Sequence, residues 1–337
     1  MQISIIVLTY NSEKYITECL DAIIKSKDKQ DELIVIDNNS KDSTVDLLKK
    51  YRKKAKIYLC NKNLGISEGR NFGIKQAKYD VLAFIDSDLI VNHDSLANAK
   101  ESYLKNNAKA LTGLYLEHGD GYNWFMEMRR ILFDKKRNNF EGKFITMKNY
   151  TTFAGGFCLI DKETIIKYSG YNSKFNGSPS EDINLELRML RDGVNIVFEK
   201  NFSGNHYKDK MSFSGLVRRF KLNGKAIARL LRFAASEKYI VPLNSVWPYL
   251  PIIVPLELLC LILSFINYLF IIPFIIMSSI RCYSVIKNKK YDFVAKLKFL
   301  VLRPFTDIVM FGSMFKELLF PVFVNHKTFQ FKYTEMK

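Results

Sequence analysis

The sequence predicts an α/β fold: a mostly parallel sheet with flanking helices, followed by a C-terminal α-helical, membrane-associated region. Three observations carry this expectation. Short β-branched runs alternate with segments of helical period from Ile3 to Asp88. Three of those runs end in polar loops, at Thr9-Tyr10-Asn11, Asp37-Asn38-Asn39-Ser40 and Asp86-Ser87-Asp88. Residues 246–280 contain one acid, Glu257, and no base.

Residues 3–8 read as a buried strand, because aliphatic and β-branched side chains run without interruption. Residues 12–26 follow at helical period, with Tyr15, Ile16, Cys19, Leu20, Ile23 and Ile24 on one apolar stripe. Residues 33–36 form a second strand, and Val45, Leu47, Leu48 and Tyr51 mark a second helix. Residues 57–60 are a third, weaker strand. A helix begins near Ile66, where Gly65, Gly69 and Gly73 make one smooth face for close backbone approach. Residues 81–85 are a fourth strand. This alternation implies right-handed βαβ units, whose ligands sit outside the carboxyl ends of the strands.

Residues 110–160 carry little pattern until Gly155-Gly156 and the apolar run 157–160. Ser178-Pro179-Ser180-Glu181 has the form of a helix start, with Ser178 as N-cap and Glu181 at the third helical position. Gly193 ends that helix, and residues 195–198 form a strand leading to His206. Residues 214–235 are a basic amphipathic helix: Arg218, Lys221, Lys225, Arg229 and Arg232 share a face. Such a face reads as a membrane-surface helix, the alternative being a helix packed on the catalytic domain with its bases solvated. Residues 246–280 would reach about 52 Å as one helix at ~1.5 Å per residue, against a ~30 Å hydrocarbon layer. They therefore read as one tilted span or a tight, partly re-entrant hairpin. Bases flank both sides, which favours the hairpin and places the flanks on the cytoplasmic side. Residues 299–324 include Arg303, Asp307, Lys316 and Glu317 and read as interfacial. The expected organisation is a catalytic domain over 1–210, an interfacial helix over 211–238, a hydrophobic region over 239–325 and a polar tail over 326–337.

The chain carries 51 Lys and Arg against 34 Asp and Glu, a formal charge of +17, which calls for an acidic partner. Much of that charge lies beside apolar segments and no nucleic-acid recognition motif accompanies it, so anionic lipid or a phosphorylated substrate is expected. The five cysteines are scattered and odd in number, which argues against a disulfide framework or a zinc site and for a reducing compartment. The first apolar run is too short, and lacks the basic lead-in, for a signal peptide.

Asp86 and Asp88 project from one turn at a strand end, and paired carboxylates there suit Mg²⁺ or Mn²⁺ with positions left for phosphate oxygens. The bland alternative is a capping turn. Asp37 ends another strand and can accept from a base N–H, or simply form a turn. Arg70 can pair with a diphosphate, or sit on a packed helix surface. Glu181 and Asp182 open a helix, whose dipole accounts for one carboxylate but does not require two; a carboxylate held in a cleft can act as a general base. His206, one of four histidines, gains meaning only if it lies near the Asp86–Asp88 turn.

Five motifs occur in order: TYNS at 9–12, DNNSKDST at 37–44, NLGISEGRNFGI at 63–74, DSD at 86–88 and SEDINLELRMLRDG at 180–193. Together they resemble the family 2 glycosyltransferases with the GT-A fold, over roughly residues 1–210. The resemblance implies inverting transfer from a nucleotide-sugar donor. It implies that Thr9, Asn11 and Asp37 line the nucleoside pocket and that Arg70 lies near the diphosphate. It further implies that Asp86 and Asp88 hold the metal and the donor's ribose-phosphate region, that Asp182 is the base with Glu181 beside it, and that His206 is a further metal ligand. Processive members carry a QxxRW signature; the tryptophans here are Trp124 and Trp247, and neither follows an arginine. Single-sugar transfer is therefore expected. The acceptor expected is lipid-linked, a polyprenyl or dolichyl (pyro)phosphate, at the cell membrane with the catalytic domain on the cytoplasmic side. A soluble glycan or protein acceptor is the alternative. A catalytically silent sugar-nucleotide-binding module is the alternative of another class, which the intact DSD and ED motifs disfavour.

Overall fold

The computed structural model of the chain describes residues 1–118, 143–147, 153–176, 179–207, 212–241, 250–286, 293–320 and 332–336. Strands β1 (Ser4–Thr9), β2 (Glu32–Asp37), β3 (Lys56–Cys60) and β4 (Val81–Asp86) lie parallel in the order β3-β2-β1-β4. Helices α1 (Ile16–Ser26), α2 (Thr44–Leu48) and α3 (Gly65–Gln76) connect them. Both faces of this half are covered, which is why its strands read as continuous apolar runs. Ile3, Ile5 and Val7 join the core beneath α1, whereas Ile6, Ile34 and Ile36 join the core on the α3 face. The glycine face of α3 sits directly on the sheet. A Cβ at Gly69 would lie 2.5 Å from Leu8 Cδ1, and one at Gly73 2.5 Å from Ile6 Cγ2.

Beyond β4 the sheet becomes mixed. Strand β5 (Leu89–Val91) leads into α4 (Ser95–Lys105), and β6 (Ala110–His118) and β7 (Phe144–Ile145) follow. Strand β8 (Phe157–Asp161) runs antiparallel between β4 and β6. It is followed by α5 (Lys162–Lys167), α6 (Glu181–Arg191) and β9 (Ile196–Tyr207). β9 is parallel to β6 and antiparallel to both β5 and β7. The expected strand at 195–198 is thus the start of a twelve-residue one that carries His206 itself. Helix α6 starts at Glu181 with Ser180 preceding it; Ser178, the expected N-cap, lies outside the described residues. Gly193 follows α6 at φ +71°, with Val194 N–H donating to Met189 O, as the helix stop requires. The tail adds a short edge strand, β10 (Tyr333–Glu335), antiparallel to β3.

The remaining helices are α7 (Phe213–Ser236), α8 (Leu250–Leu263), α9 (Ile271–Ile286) and α10 (Phe293–Leu319). The expected basic face of α7 is divided. Arg218 and Lys221 are exposed, whereas Arg229 is buried, donating to Glu317 of α10 at 2.9 Å and to the carbonyls of Lys174 and Asn176. Arg232 donates to the carbonyls of Glu317 and Leu318 at the end of α10. A long basic side chain near an opposing helix C-terminus satisfies the orphan carbonyls there, which the helical period alone does not reveal. Gly224 lets α7 and α10 touch: a Cβ there would collide with the Met310 carbonyl.

The expected membrane crossing finds no support among the described residues. No helix among the described residues is long and apolar enough to cross a membrane. The apolar stretch breaks at Phe265–Asn267 into arms of 14 and 16 residues. At ~1.5 Å per residue these reach about 21 and 24 Å, short of a ~30 Å core. Helix α10 is longer, at 27 residues, but includes Lys296, Lys298, Arg303, Asp307, Lys316 and Glu317.

Candidate active site

The polar strand ends converge on one edge of the sheet. Asp86 is the last residue of β4 and pairs in register with Leu8, while the adjacent Thr9 pairs with Asp37. With neighbouring strands ~4.8 Å apart, Asp37 and Asp86 stand about 10 Å apart across β1. Ser12 Oγ and Ser87 Oγ, 2.9 Å apart, tie the first and third loops together.

At the β1–β2 end, Thr9 Oγ1 and Asp37 Oδ1 are buried without a hydrogen-bond partner. Buried polar atoms are normally satisfied, so these are poised for a ligand with donor groups. Asp37 Oδ2 is held by the Ser40 N–H at 3.0 Å. Asn11 plays a different part: its Oδ1 accepts from Lys41 N–H and its N–H donates to Ser40 Oγ, bracing one loop against the next.

At the β4 end, Arg70 of α3 is enclosed. Its Nη1 donates to Glu181 Oε1 and its Nη2 to Asp86 Oδ1, both at 2.9 Å, and its guanidinium lies 5.2 Å from the Tyr171 ring centroid. Its side chain is 7% exposed. Sequence reasoning left Arg70 beside a diphosphate; the structure makes it the link between two carboxylates. Glu181 is buried, and burial together with the Asp182 charge pushes its carboxyl up to about 7, although Arg70 opposes this. Asp182, half-buried, turns to the edge. Its Oδ2 accepts from Gly155 N–H at 3.2 Å and its Oδ1 from Ile183 N–H at 2.8 Å. The two adjacent acids are therefore separated in role: one is locked to Arg70, the other lines the edge.

Gly155, Gly156 and Tyr171 complete this corner, and no role in the site was read for them from the sequence. A Cβ at Gly156 would overlap both Asp86 carboxylate oxygens, and one at Gly155 would lie 2.6 Å from Asp182 Cβ. Tyr171 Oη donates to Gly155 O at 3.1 Å. The double glycine ahead of an apolar run was the available signal; Tyr171 left none. Gly156→Ala is expected to displace the Asp86 carboxylate and to weaken donor binding about tenfold, with a folding cost of about 1–3 kcal/mol from overpacking. Donor calorimetry alongside thermal unfolding checks both.

Asp88 and His206 meet: Asp88 Oδ2 lies 3.1 Å from His206 Nε2 because β5 pairs with β9, Leu89 opposite His206. His206 stacks on Tyr115 at 5.0 Å and its Nδ1 is buried without a partner, so its available polar atom faces Asp88. Among the described residues no cluster of three or more His, Cys, Asp or Glu is placed to hold a metal. One carboxylate and one imidazole, completed by phosphate oxygens and water, nevertheless fit a six-coordinate Mn²⁺ or Mg²⁺.

Residues 4–169 match the family model described as glycosyl transferase family 2. Over those residues the chain is similar to the family 2 glycosyltransferases. Among curated relatives, the Staphylococcus aureus poly(ribitol-phosphate) beta-N-acetylglucosaminyltransferase TarP is 32% identical over 208 residues, 60% of this chain and 61% of that protein. TarS of the same species is 38% identical over 104 residues, 29% of this chain. That match spans only 18% of TarS. The domain's architecture resembles a TarS 1–349 structure in complex with UDP, with a TM-score of 0.51 at 18% identity over 94% of this chain and 91% of that one. It also resembles the mannosyltransferase PcManGT of Pyrobaculum calidifontis in complex with GDP-Man and Mn²⁺, with a TM-score of 0.57 at 14% identity over 94% and 87%. At these identities the likeness is one of fold: the chain has a GT-A-like mixed α/β architecture.

Proposed function

We propose that this domain transfers one sugar, with inversion, from a nucleotide-sugar donor to a hydroxyl or phosphate of a phosphate-rich acceptor presented at a membrane. The observation that carries the reading is the convergence of Thr9, Asp37, Asp86, Asp88 and Asp182 on one sheet edge, with unsatisfied buried acceptors at one end and a half-buried carboxylate at the other. Thr9 and Asp37 bind the nucleoside. Asp88 and His206 would hold a divalent cation, which would supply positive charge to the diphosphate leaving group. Asp182 takes the acceptor proton. Arg70 orients Asp86 and Glu181 and contributes positive potential to the site.

A lipid-linked acceptor at the cytoplasmic face of the cell membrane is the preferred substrate. The charge of +17 and the exposed apolar side chains of the α8–α9 hairpin support it. The free cysteines Cys19, Cys60, Cys158 and Cys260 accord with that compartment. A poly(ribitol phosphate)-type polymer is the second reading, favoured by the similarity to TarS and TarP, both poly(ribitol-phosphate) beta-N-acetylglucosaminyltransferases. A screen of radiolabelled nucleotide sugars, against polyprenyl (pyro)phosphate in vesicles and against poly(ribitol phosphate), decides between them. Transfer to neither acceptor, with donor still bound, would favour a silent binding module.

Asp88→Asn is expected to weaken Mn²⁺-dependent donor binding about 10- to 100-fold, with donor affinity in chelator unchanged. An equal loss with and without Mn²⁺ would remove Asp88 from the metal site.

A further inference from the structure

We infer that the α8–α9 hairpin inserts into one leaflet of an anionic lipid bilayer, its turn reaching the midplane; this rests on the membrane location proposed above. The partner is a lipid surface, and the insertion is half-depth.

The turn is apolar outside. Phe265, Ile266 and Tyr268 are 87%, 81% and 77% exposed. Among the described side chains, the exposed apolar ones reach back at least to Leu256 on α8 and forward at least to Ile276 on α9. Each lies ten residues from Ile266, about 15 Å along a helix at ~1.5 Å per residue. That is half of a ~30 Å hydrocarbon layer.

The N–H groups of the turn are satisfied from within, which lowers the cost of placing them in hydrocarbon. The N–H groups of Ser264, Phe265, Ile266 and Asn267 all donate to carbonyls of α8, between Cys260 and Leu263. Ser264 Oγ donates to Leu261 O at 2.6 Å, and Asn267 Oδ1 accepts from Leu269 N–H at 3.0 Å. The acid of the hairpin faces inward at the depth where hydrocarbon gives way to headgroups: Glu257 is fully buried and accepts from Ser278 Oγ at 3.3 Å.

An interfacial collar stands beside the arms. The first two turns of α10 mix exposed Phe293, Val294 and Leu297 with Lys296 and Lys298, the pattern of a segment lying among anionic headgroups. A second copy of this chain, also strongly positive, would bring like charges together at that collar.

The test uses the full chain with vesicles of phosphatidylcholine, with and without phosphatidylglycerol. The parent protein is expected to float with vesicles, more strongly with phosphatidylglycerol. A double variant, Phe265→Asp with Ile266→Asp, is expected to partition at least tenfold more weakly while binding nucleotide sugar as the parent does. In Phe265→Trp, the emission added over the parent is expected to be quenched most by lipids brominated near the acyl-chain ends. Flotation equal to the parent's in the double variant would overturn the hairpin insertion while leaving membrane location standing. No flotation of the parent would overturn both. A parent oligomer that the double variant splits, without any vesicle binding, would assign the surface to a second copy instead.

Discussion

Asp182→Asn is expected to bind donor as the parent does and to turn over roughly 10²–10⁴-fold more slowly, the usual worth of general-base help. Gly155 N–H donates to Oδ2 and Ile183 N–H to Oδ1, so an asparagine keeps one of these two bonds and turns its NH2 toward the other N–H. The substitution costs about one hydrogen bond, roughly 1–3 kcal/mol of stability, and the catalytic loss falls on kcat. Glu181→Gln is expected to lose less activity but more stability, because Glu181 holds Arg70 and does not line the edge. Single-turnover kinetics with donor calorimetry separates the two. A dead Glu181→Gln beside an active Asp182→Asn would exchange the roles.

Arg70→Met is expected to have the largest effect on stability, about 3–5 kcal/mol, because it leaves a carboxylate buried without its cation. Most of this comes from Glu181, whose side chain is 8% exposed; Asp86 is 35% exposed and water screens it. The pH dependence has a definite sign. Glu181 already titrates near 7 when folded, against an ordinary value of 4.5, and removing Arg70 raises it further. The folded state then binds a proton that the unfolded state does not, so stability falls as pH rises from about 5 to beyond 7. The Arg70→Met defect should accordingly shrink on acidification and grow above neutrality. Chemical denaturation at about pH 5.5 and 8 checks this. A defect of the same size at both would show that Glu181 carries no shifted carboxyl.

The parallel half of the fold was legible because its strands are covered on both faces. Burial on both faces leaves a local signature, an unbroken β-branched run, and the chain's turn residues mark where each run stops. The loops at Asp37 and Asp86 were likewise visible as polar groups at strand ends. The mixed half was harder. Strand β6 lies in a stretch with little periodicity, and β10 is a three-residue edge strand too short to show one, so neither left a pattern. The tryptophans used against the processive signature, Trp124 and Trp247, lie outside the described residues.

The apolar stretch at 246–280 shows the same division. Its composition was evident, but its break at Phe265–Asn267 depends on hydrogen bonds that close the end of α8, and composition averages over them. The bases of α7 were evident too, yet Arg229 is committed to Glu317, 88 positions away.

By itself, then, the sequence determined the parallel strands, the polar loops at their carboxyl ends and the chemical types gathered there, since each follows from side chains within a few residues of one another. Only the tertiary structure decided that Arg70 joins Asp86 to Glu181, 111 positions distant, that Asp182 lines the edge, and that Asp88 meets His206. Those pairings are set by how β8 and β9 enter the sheet, and the charge state and exposure of a carboxylate depend on what is packed around it, which no local pattern records.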